Sequence, residues 1–270
     1  MTTTTTVSKP LTHKRPRWLT RSIMVGLLLA ATLAVTLLST NGKGNTDDLD
    51  PANPGYSGAQ GLAHALSDHG VAVIVVRSQR ELLDQTVDGA TTVAVTGTNR
   101  LSRRTAHAAL AHAASAASLV VLDPDPEVTT GMGLPVDSHL ADLTDVAAGC
   151  RGTEVGQGFR LAQAERAYLP TADGSAATIC FPDKSEGNGG GGVMVSLPAA
   201  LGRPPVTLLG DESLVTNGAI LSSDNAAIAL HLFGHSDRLV WYVHSLADIA
   251  AAYSTSRSIS PAWFQPGLAL

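Results

Sequence analysis

The chain is poor in aromatic residues, in cysteines and, beyond its first forty residues, in basic side chains. It has 4 Phe, 4 Tyr and 3 Trp among 270 residues, and its abundant alanine suits helices packed closely on a sheet. After residue 40 there are 13 basic residues against 23 acidic ones, and they form no basic stripe. Such an acidic surface repels phosphate backbones and anionic headgroups, so binding to nucleic acid is excluded as the expected function.

Long uncharged runs are also scarce, and the one that stands out is Ser22–Ser39. Its length and apolar content approach the ~20 residues needed to cross a bilayer. Five basic residues precede it and no acid occurs in the first forty residues. The positive-inside rule then predicts a single-pass protein of the cell membrane, with a cytoplasmic tail at 1–21, a signal anchor at 22–39 and a linker at 40–50. A cleaved signal peptide is the alternative, and a buried core helix would leave the charge asymmetry unexplained.

Beyond the linker we expect one extracytoplasmic domain over 51–260. Between residues 57 and 124, helical segments alternate with apolar strand-like runs at 71–76, 92–96 and 118–122, the first of which is too apolar for an edge strand. Such alternation predicts an α/β fold with a mainly parallel sheet flanked by helices. Ligands dock beyond the carboxyl ends of the strands in sheets of this type, so the loops there would line any site.

The pattern is weaker over 127–205 and sharper after it. ATICF and VMVSL flank the run GNGGGG and predict a small irregular or antiparallel insertion. The glycine run lacks the Lys-Ser/Thr of a phosphate-binding loop. PVTLLG then predicts a strand, SSDNAAIALHLFG a helix capped by Ser222 or Ser223 and ended by Gly234, and RLVWYV a last buried strand.

The two cysteines, Cys150 and Cys180, are open to different interpretations. AAGCRGTE around Cys150 resembles the glycine frame in which some amidotransferases present a nucleophile, but Ala148 stands in place of the first glycine and no buried strand leads into it. Both cysteines follow the predicted span, and an oxidising exterior favours their pairing. We predict a Cys150–Cys180 disulfide and no catalytic residue, with two buried free thiols as the alternative.

Several polar residues are candidates for a ligand site beyond the strand ends. Turn and cap duties explain each of them alone, for example Ser57 as the cap of the first helix, and a shared crevice is the alternative. His231 and His235 are four residues apart, but Gly234 ends their helix and the glutamate of a zinc-hydrolase helix is missing, so we expect no metal and no cofactor. The candidates are Asn53, Ser57, Thr98, Asp123, Asn217 and Asn225.

Separated motifs resemble one known family. They are LVTNGAILSSDNAAIALHLFGHSDRLVWYVHS at 214–245, LDPANPGYSGAQGLAHAL at the start of the domain and CFP at 180–182. On these motifs the chain is identified as a member of the actinobacterial family of unknown function 4350 (DUF4350) over most of 48–265. The resemblance implies a membrane-anchored domain similar to the class I glutamine amidotransferase or flavodoxin-like fold, with genes near MoxR-type ATPases and no established activity.

The chain departs from the family pattern at two places, and two functions remain. His244 stands where the family usually has proline, and 261–270 would only begin the family's second membrane segment. The first expectation is a non-enzymatic, membrane-tethered module that binds or assembles proteins of an envelope complex. The alternative is an extracytoplasmic hydrolase or transferase on an amidotransferase-like scaffold, which requires a nucleophile, a base and an acid converging in one pocket.

Overall fold

A nine-stranded mixed sheet with helices on both faces forms the domain. The structure is a computed structural model, and it describes residues 46–150, 155, 158–174, 176–184 and 190–244. The predicted anchor at 22–39, the tail at 1–21 and the segment 261–270 lie outside the described residues. Within the described part of the chain, no helix combines the length and the apolar character that a membrane span requires.

One half of the sheet is parallel, as the alternation predicted. Its strands are Ala72–Val76 (β1), Thr91–Thr96 (β2), Ser118–Leu122 (β3), Val206–Leu209 (β8) and Arg238–Val243 (β9). They lie in the order β1-β9-β2-β3-β8, with β9 paired to β1 on one side and to β2 on the other. The four strand runs near 71–76, 92–96, 118–122 and 238–243 therefore belong to one sheet, which confirms that prediction.

β1 lies at the end of this order, so the expectation that its run is too apolar for an edge strand is wrong. Only Val76 is fully buried, and Ala72–Val75 are exposed or half-buried. Helices pack on both faces of β1 without adding a second neighbouring strand. The apolar sequence of β1 therefore reflects the helices that cover both of its faces, and it does not require a paired strand on each edge.

Within the described part of the chain, five α-helices cover the parallel half. They are Gln60–Asp68 (α1), Gln79–Leu83 (α2), Arg103–His112 (α3), Pro126–Gly131 (α4) and Asn225–Phe233 (α5). α1 and α5 pack on one face, and α2, α3 and α4 pack on the other. Trp241 and Tyr242 are successive in β9 and enter the two different cores, because neighbouring side chains of a strand point to opposite faces.

Two of the predicted helix caps are wrong. α1 begins at Gln60 after Ala59, so Ser57 does not cap it, and α5 follows Asp224 and not Ser222 or Ser223. Neither Ala59 nor Asp224 makes a side-chain capping bond. Gly234 does stand at the end of α5, as predicted. Local sequence located both helices, but tertiary contacts decided where each one starts.

The insertion is antiparallel, as expected, but far larger than the small one predicted. It consists of Val136–Ala147 (β4), Arg160–Pro170 (β5), Thr178–Pro182 (β6) and Gly192–Leu197 (β7). β4 and β5 form a long hairpin, β6 pairs with β7, and β7 joins the parallel half through β8. β4 escaped detection because most of its residues are exposed or half-buried, so its sequence carries acids where a core strand has apolar side chains.

Gly210 connects β5, β7 and β8. Its N–H donates to the Val193 carbonyl at 2.9 Å, and its own carbonyl accepts from the N–H groups of Glu165 and Arg166 at 2.9 and 3.0 Å. A β-carbon at position 210 would overlap the Arg166 carbonyl oxygen. Only glycine lets β5 pass this close to the end of β8, and this passage carries Arg166 to the carboxyl edge of the parallel strands.

Candidate functional site

Polar residues gather where β2, β3 and β8 end. Gly97 and Thr98 follow β2, Asp123 follows β3, and Asp211 and Glu212 come shortly after β8. Parallel strands bring their carboxyl ends to one edge of a sheet, which is where ligands bind in α/β folds. We call these residues, together with Glu165 and Arg166 of β5, the carboxyl-edge cluster.

Thr98 and Asp123, two of the predicted site residues, lie together in this cluster. The buried Thr98 hydroxyl lies 2.8 Å from the carbonyl oxygens of both Leu122 and Asp123. Asp123 has a φ of 44°, a conformation that a short polar side chain tolerates better than most. Its carboxylate accepts a hydrogen bond from Arg166 Nε at 2.9 Å. Burial raises the pKa of Asp123, and the Arg166 charge opposes that rise.

Asp211 is buried and Glu212 is half-buried, and both acids have a high proton affinity. Burial raises the pKa of Asp211 to about 6, although its carboxylate accepts hydrogen bonds from the Ser213 N–H and hydroxyl. Burial and then the charge of Asp123 raise the pKa of Glu212 to about 7, although Gly97 N–H donates to its carboxylate at 3.3 Å. The cluster thus holds protons near neutral pH because it concentrates carboxyl groups away from water.

The hydrogen-bond partners of these carboxyl groups limit the chemistry that the acids can perform. Buried acids with raised pKa values occur at catalytic sites, where they act as proton donors and acceptors. They also occur where strand ends are held by internal hydrogen bonds, and each carboxyl group described above has such a bond. Among the described residues, no three His, Cys, Asp or Glu side chains are arranged to hold a metal ion. The raised pKa values of Asp211 and Glu212 support proton uptake near neutral pH.

Asn53 and Asn217 form a second hydrogen-bonded group. Asn217 Oδ1 accepts from Gly61 N–H in the first turn of α1 at 2.8 Å, and its amide nitrogen donates to the Asn53 and Gly55 carbonyls at 3.0 and 2.6 Å. Asn53 Oδ1 accepts from Gly55 N–H at 2.8 Å. Ser57 is half-buried in the same loop, and its carbonyl accepts from Leu49 N–H. This group fastens the loop before α1 to the loop after β8.

Asn225 belongs to a third group, at the start of α5. It is fully buried, its Oδ1 accepts from Ala162 N–H of β5 at 3.2 Å, and its amide nitrogen donates to the Ala219 carbonyl at 3.0 Å. Next to it, the Asp224 carboxylate accepts from Arg160 N–H at 2.7 Å. The six predicted site residues thus fall into three groups with backbone partners of their own, and a ligand site that they share stays a prediction.

Sequence reasoning missed four charged members of the carboxyl-edge cluster, Glu165, Arg166, Asp211 and Glu212. Asp211 and Glu212 stand directly after the strand-like run PVTLLG, and acids at that place are a signal that could have located them. Arg166 had no such signal, because it lies within a strand of the hairpin and reaches the edge only through the passage beside Gly210.

A disulfide joins Cys150 and Cys180, as predicted. Their Cα atoms are 4.6 Å apart, and both residues are buried in the core on the side of α1 and α5. The bond connects the end of β4 to β6 and closes a loop with a sequence separation of 30. The sulfur of Cys150 is therefore covalently occupied and does not present a thiolate.

Comparison with known proteins identifies a family but no activity. The model of DUF4350, a domain of unknown function, matches residues 51–233. A protein of Mycobacterium tuberculosis (strain ATCC 25618 / H37Rv), described as an uncharacterized membrane protein, is 26% identical over 233 residues, which are 85% of this chain and 56% of that protein. The chain thus spans little more than half the length of this relative. No solved structure matches, so the expected likeness to an amidotransferase or flavodoxin-like fold goes no further than a mixed α/β architecture.

Proposed function

We propose that this chain, which belongs to the DUF4350 family, is a membrane-anchored domain that lies outside the membrane and binds a partner protein of the cell envelope. The observation that carries the proposal is the Cys150–Cys180 disulfide. Disulfides persist in oxidising compartments and are rare in the cytosol, which favours an extracytoplasmic location. The same bond occupies the one sulfur that an amidotransferase-like nucleophile would use.

Two observations support the membrane anchor. The uncharged run at 22–39 follows five basic residues, and the relative from M. tuberculosis is described as a membrane protein. The positive-inside rule then places the N-terminus in the cytoplasm and the α/β domain beyond the membrane, in a single-pass topology.

The hydrogen bonds that fix the loops of the domain favour a binding role. Asn217 connects the loop before α1 with the loop after β8, and the ring of Tyr56 packs flat against Gly218 of that second loop. Tyr56 nevertheless remains 80% exposed, and Leu221, which follows Gly218 in the second loop, is 89% exposed. Large apolar side chains on fixed loops are typical anchors in protein interfaces. An envelope protein encoded near a MoxR-type ATPase is the partner that the family resemblance suggests.

The second candidate function is an extracytoplasmic hydrolase or transferase, and the carboxyl-edge cluster favours it. Asp211 and Glu212 have pKa values of about 6 and about 7, which suit a general acid or base near neutral pH. The two proposals differ in what Glu212 does. In an enzyme its replacement abolishes turnover, whereas in a binding module it changes only stability.

Topology and binding are tested with the full chain in native membranes. Fused after residue 244, alkaline phosphatase should be active and green fluorescent protein dark, and the reverse result would overturn the location. For binding, the tagged chain is cross-linked in cells and purified, and we expect one envelope protein in stoichiometric amount. A Tyr56→Ser/Leu221→Ser variant should lose that protein, whereas a Leu201→Ser variant, which also removes an exposed leucine, should keep it. Equal recovery from both variants would contradict this binding surface.

A further inference from the structure

A cleft of about 320 Å³ opens on the face of the sheet that carries α1 and α5, away from the carboxyl-edge cluster. Its floor is formed by β3, β8 and β7, which contribute Ser118, Thr207 and Ser196. One wall is the end of α5, with His231, Leu232 and His235. His231 and His235 also line a second concavity, together with Ala227, Leu230 and Gly234.

The cleft exists because of the way α5 ends. Phe233 turns into the core and packs on Trp241 with ring centroids 4.8 Å apart, and Gly234 then ends the helix. His231 and His235 are left exposed at this end, where the ring of His231 lies 5.8 Å from that of Phe159. The sheet beyond this point has hydroxyl side chains on its surface instead of a layer of aliphatic ones.

The floor combines hydrogen-bonding groups with apolar surface. The Ser196 and Thr207 hydroxyls are 3.1 Å apart, and the Ser118 hydroxyl lies 3.4 Å from that of Thr92 on the neighbouring strand β2. A hydroxyl can bond to one neighbour and still offer a donor or an acceptor to a ligand. Beside these groups, Val120 and Met194 supply apolar contacts. Small-molecule sites have this composition, a mostly apolar wall with a few polar groups, and this order of volume.

The charge of the lining selects the kind of ligand. No Asp, Glu, Lys or Arg is among the described residues that line the cleft, although the domain as a whole is acidic. A cation would therefore find no carboxylate partner among these lining residues. Hydroxyl and imidazole groups donate hydrogen bonds to the oxygens of an anion without the desolvation cost of a buried lysine or arginine.

We propose that this cleft binds a small organic acid, with its apolar body against Val120 and Met194 and its carboxylate at the hydroxyls of Ser196 and Thr207 and the imidazoles of His231 and His235. This proposal does not depend on the side of the membrane on which the domain lies, and it does not depend on the protein partner. It assigns a ligand class to a site separate from the exposed loops and from the carboxyl-edge cluster.

The test is photoaffinity labelling of the purified full chain in detergent. The probes are a trifluoromethyl-diazirinyl benzoate and the matching benzyl alcohol and benzylamine, with cross-linked residues located by mass spectrometry. We expect the benzoate to label β7, β8 and the end of α5 in a saturable way, and at least five times more than the amine. Labelling spread over the surface, or equal labelling by all three probes, would overturn the proposal.

Two variants with matched controls complete the test. Ser196→Phe places a ring in the cleft and should reduce benzoate labelling at least fivefold, whereas Ser222→Phe, at an exposed serine outside the lining, should not. His231→Gln/His235→Gln should weaken labelling by the benzoate but not by the alcohol, with His64→Gln, on the exposed side of α1, as control. Thermal unfolding verifies that each variant is folded. Because both histidines are exposed, the double variant keeps the test decisive even if Ser196→Phe fails to fold.

Discussion

At the scale of single residues, buried amides and acids hold the loops of this domain to its sheet. Asn225 and Asn217 resemble ligand-binding residues in the sequence, yet each uses its amide to satisfy backbone groups, including at least one that is distant along the chain. A buried polar group that loses its partner costs more than an ordinary hydrogen bond contributes. Substitution at these positions therefore separates a structural duty from a ligand-binding one.

Asn225→Ala should lower the free energy of unfolding by roughly 1 to 3 kcal/mol, because it leaves the Ala162 N–H and the Ala219 carbonyl without their side-chain partner. Urea unfolding of the full chain measures the change. Asn99→Ala, at an exposed asparagine, is the control and should be nearly neutral. An Asn225→Ala protein as stable as the wild type would indicate that the amide serves a ligand instead.

Glu212 makes stability depend on pH in a direction that its pKa fixes. Its pKa rises from 4.5 to about 7 on folding, so between these two values the folded state holds a proton that the unfolded state has lost. The stability that this bound proton gives the folded state therefore decreases as the pH rises from 4.5 to about 7, and it is lost above about pH 7. Asp211 adds the same trend over a lower window that ends at about 6, and Asp123, Glu165 and Arg166 face the same cluster.

Glu212→Gln should remove most of this dependence and keep an oxygen that accepts from Gly97 N–H. Between about pH 5 and about pH 8, we expect the wild type to lose on the order of 1 to 3 kcal/mol relative to the variant, as read from urea unfolding at each pH. Glu127→Gln, at an exposed glutamate, is the control and should follow the wild type. Parallel profiles for Glu212→Gln and wild type would show that Glu212 does not titrate in this range.

At the scale of secondary-structure elements, the β4–β5 hairpin determines which side chains reach the carboxyl edge, because β5 passes close to the end of β8. The sequence predicted the parallel strands because their residues are apolar on both faces, and it predicted the pairing of β6 with β7 from two short strand runs. It did not predict β4, whose exposed residues alternate with half-buried ones. Nor could it predict Arg166 beside Asp123, because this pair depends on the register between strands that are distant in sequence.

Gly210→Ala tests this passage. A β-carbon there overlaps the Arg166 carbonyl, so β5 must move and the bonds from Glu165 and Arg166 N–H to the Gly210 carbonyl weaken. Overpacking of this kind costs about 1 to 3 kcal/mol, and we expect at least that loss in the free energy of unfolding. Gly89→Ala is the matched control, since a β-carbon at position 89 contacts nothing within 4 Å. Equal stabilities of the two variants would contradict the close approach.

At the scale of the whole molecule, the disulfide reinforces the least regular part of the domain. It joins the end of β4 to β6, on either side of a connection that includes the long strand β5. Restricting the unfolded chain by a bridge of this span stabilises the folded state by about 3 to 4 kcal/mol. A reducing cytosol would remove this contribution, which is why the bond supports the proposed extracytoplasmic location.

Cys150→Ala/Cys180→Ala should therefore lower the free energy of unfolding by about 3 kcal/mol. Urea unfolding of the oxidised wild type, the reduced wild type and the double variant measures the change. We expect the reduced wild type and the double variant to agree, because both lack the bridge. A double variant as stable as the oxidised protein would remove the main support for an extracytoplasmic location.

The alternation of helices and apolar strands, the parallel core and the one available cysteine pair can be inferred from the sequence alone, because they depend on local periodicity and on there being only two cysteines. Tertiary packing set the place of β9 between β1 and β2, the burial of Leu49 and Asp50 at the end of the predicted linker, and the contact of Arg166 with Asp123. It also decided where α5 leaves the sheet open to form the cleft. Each of these depends on contacts between residues distant in the chain, and such contacts leave no periodic signal in a single sequence.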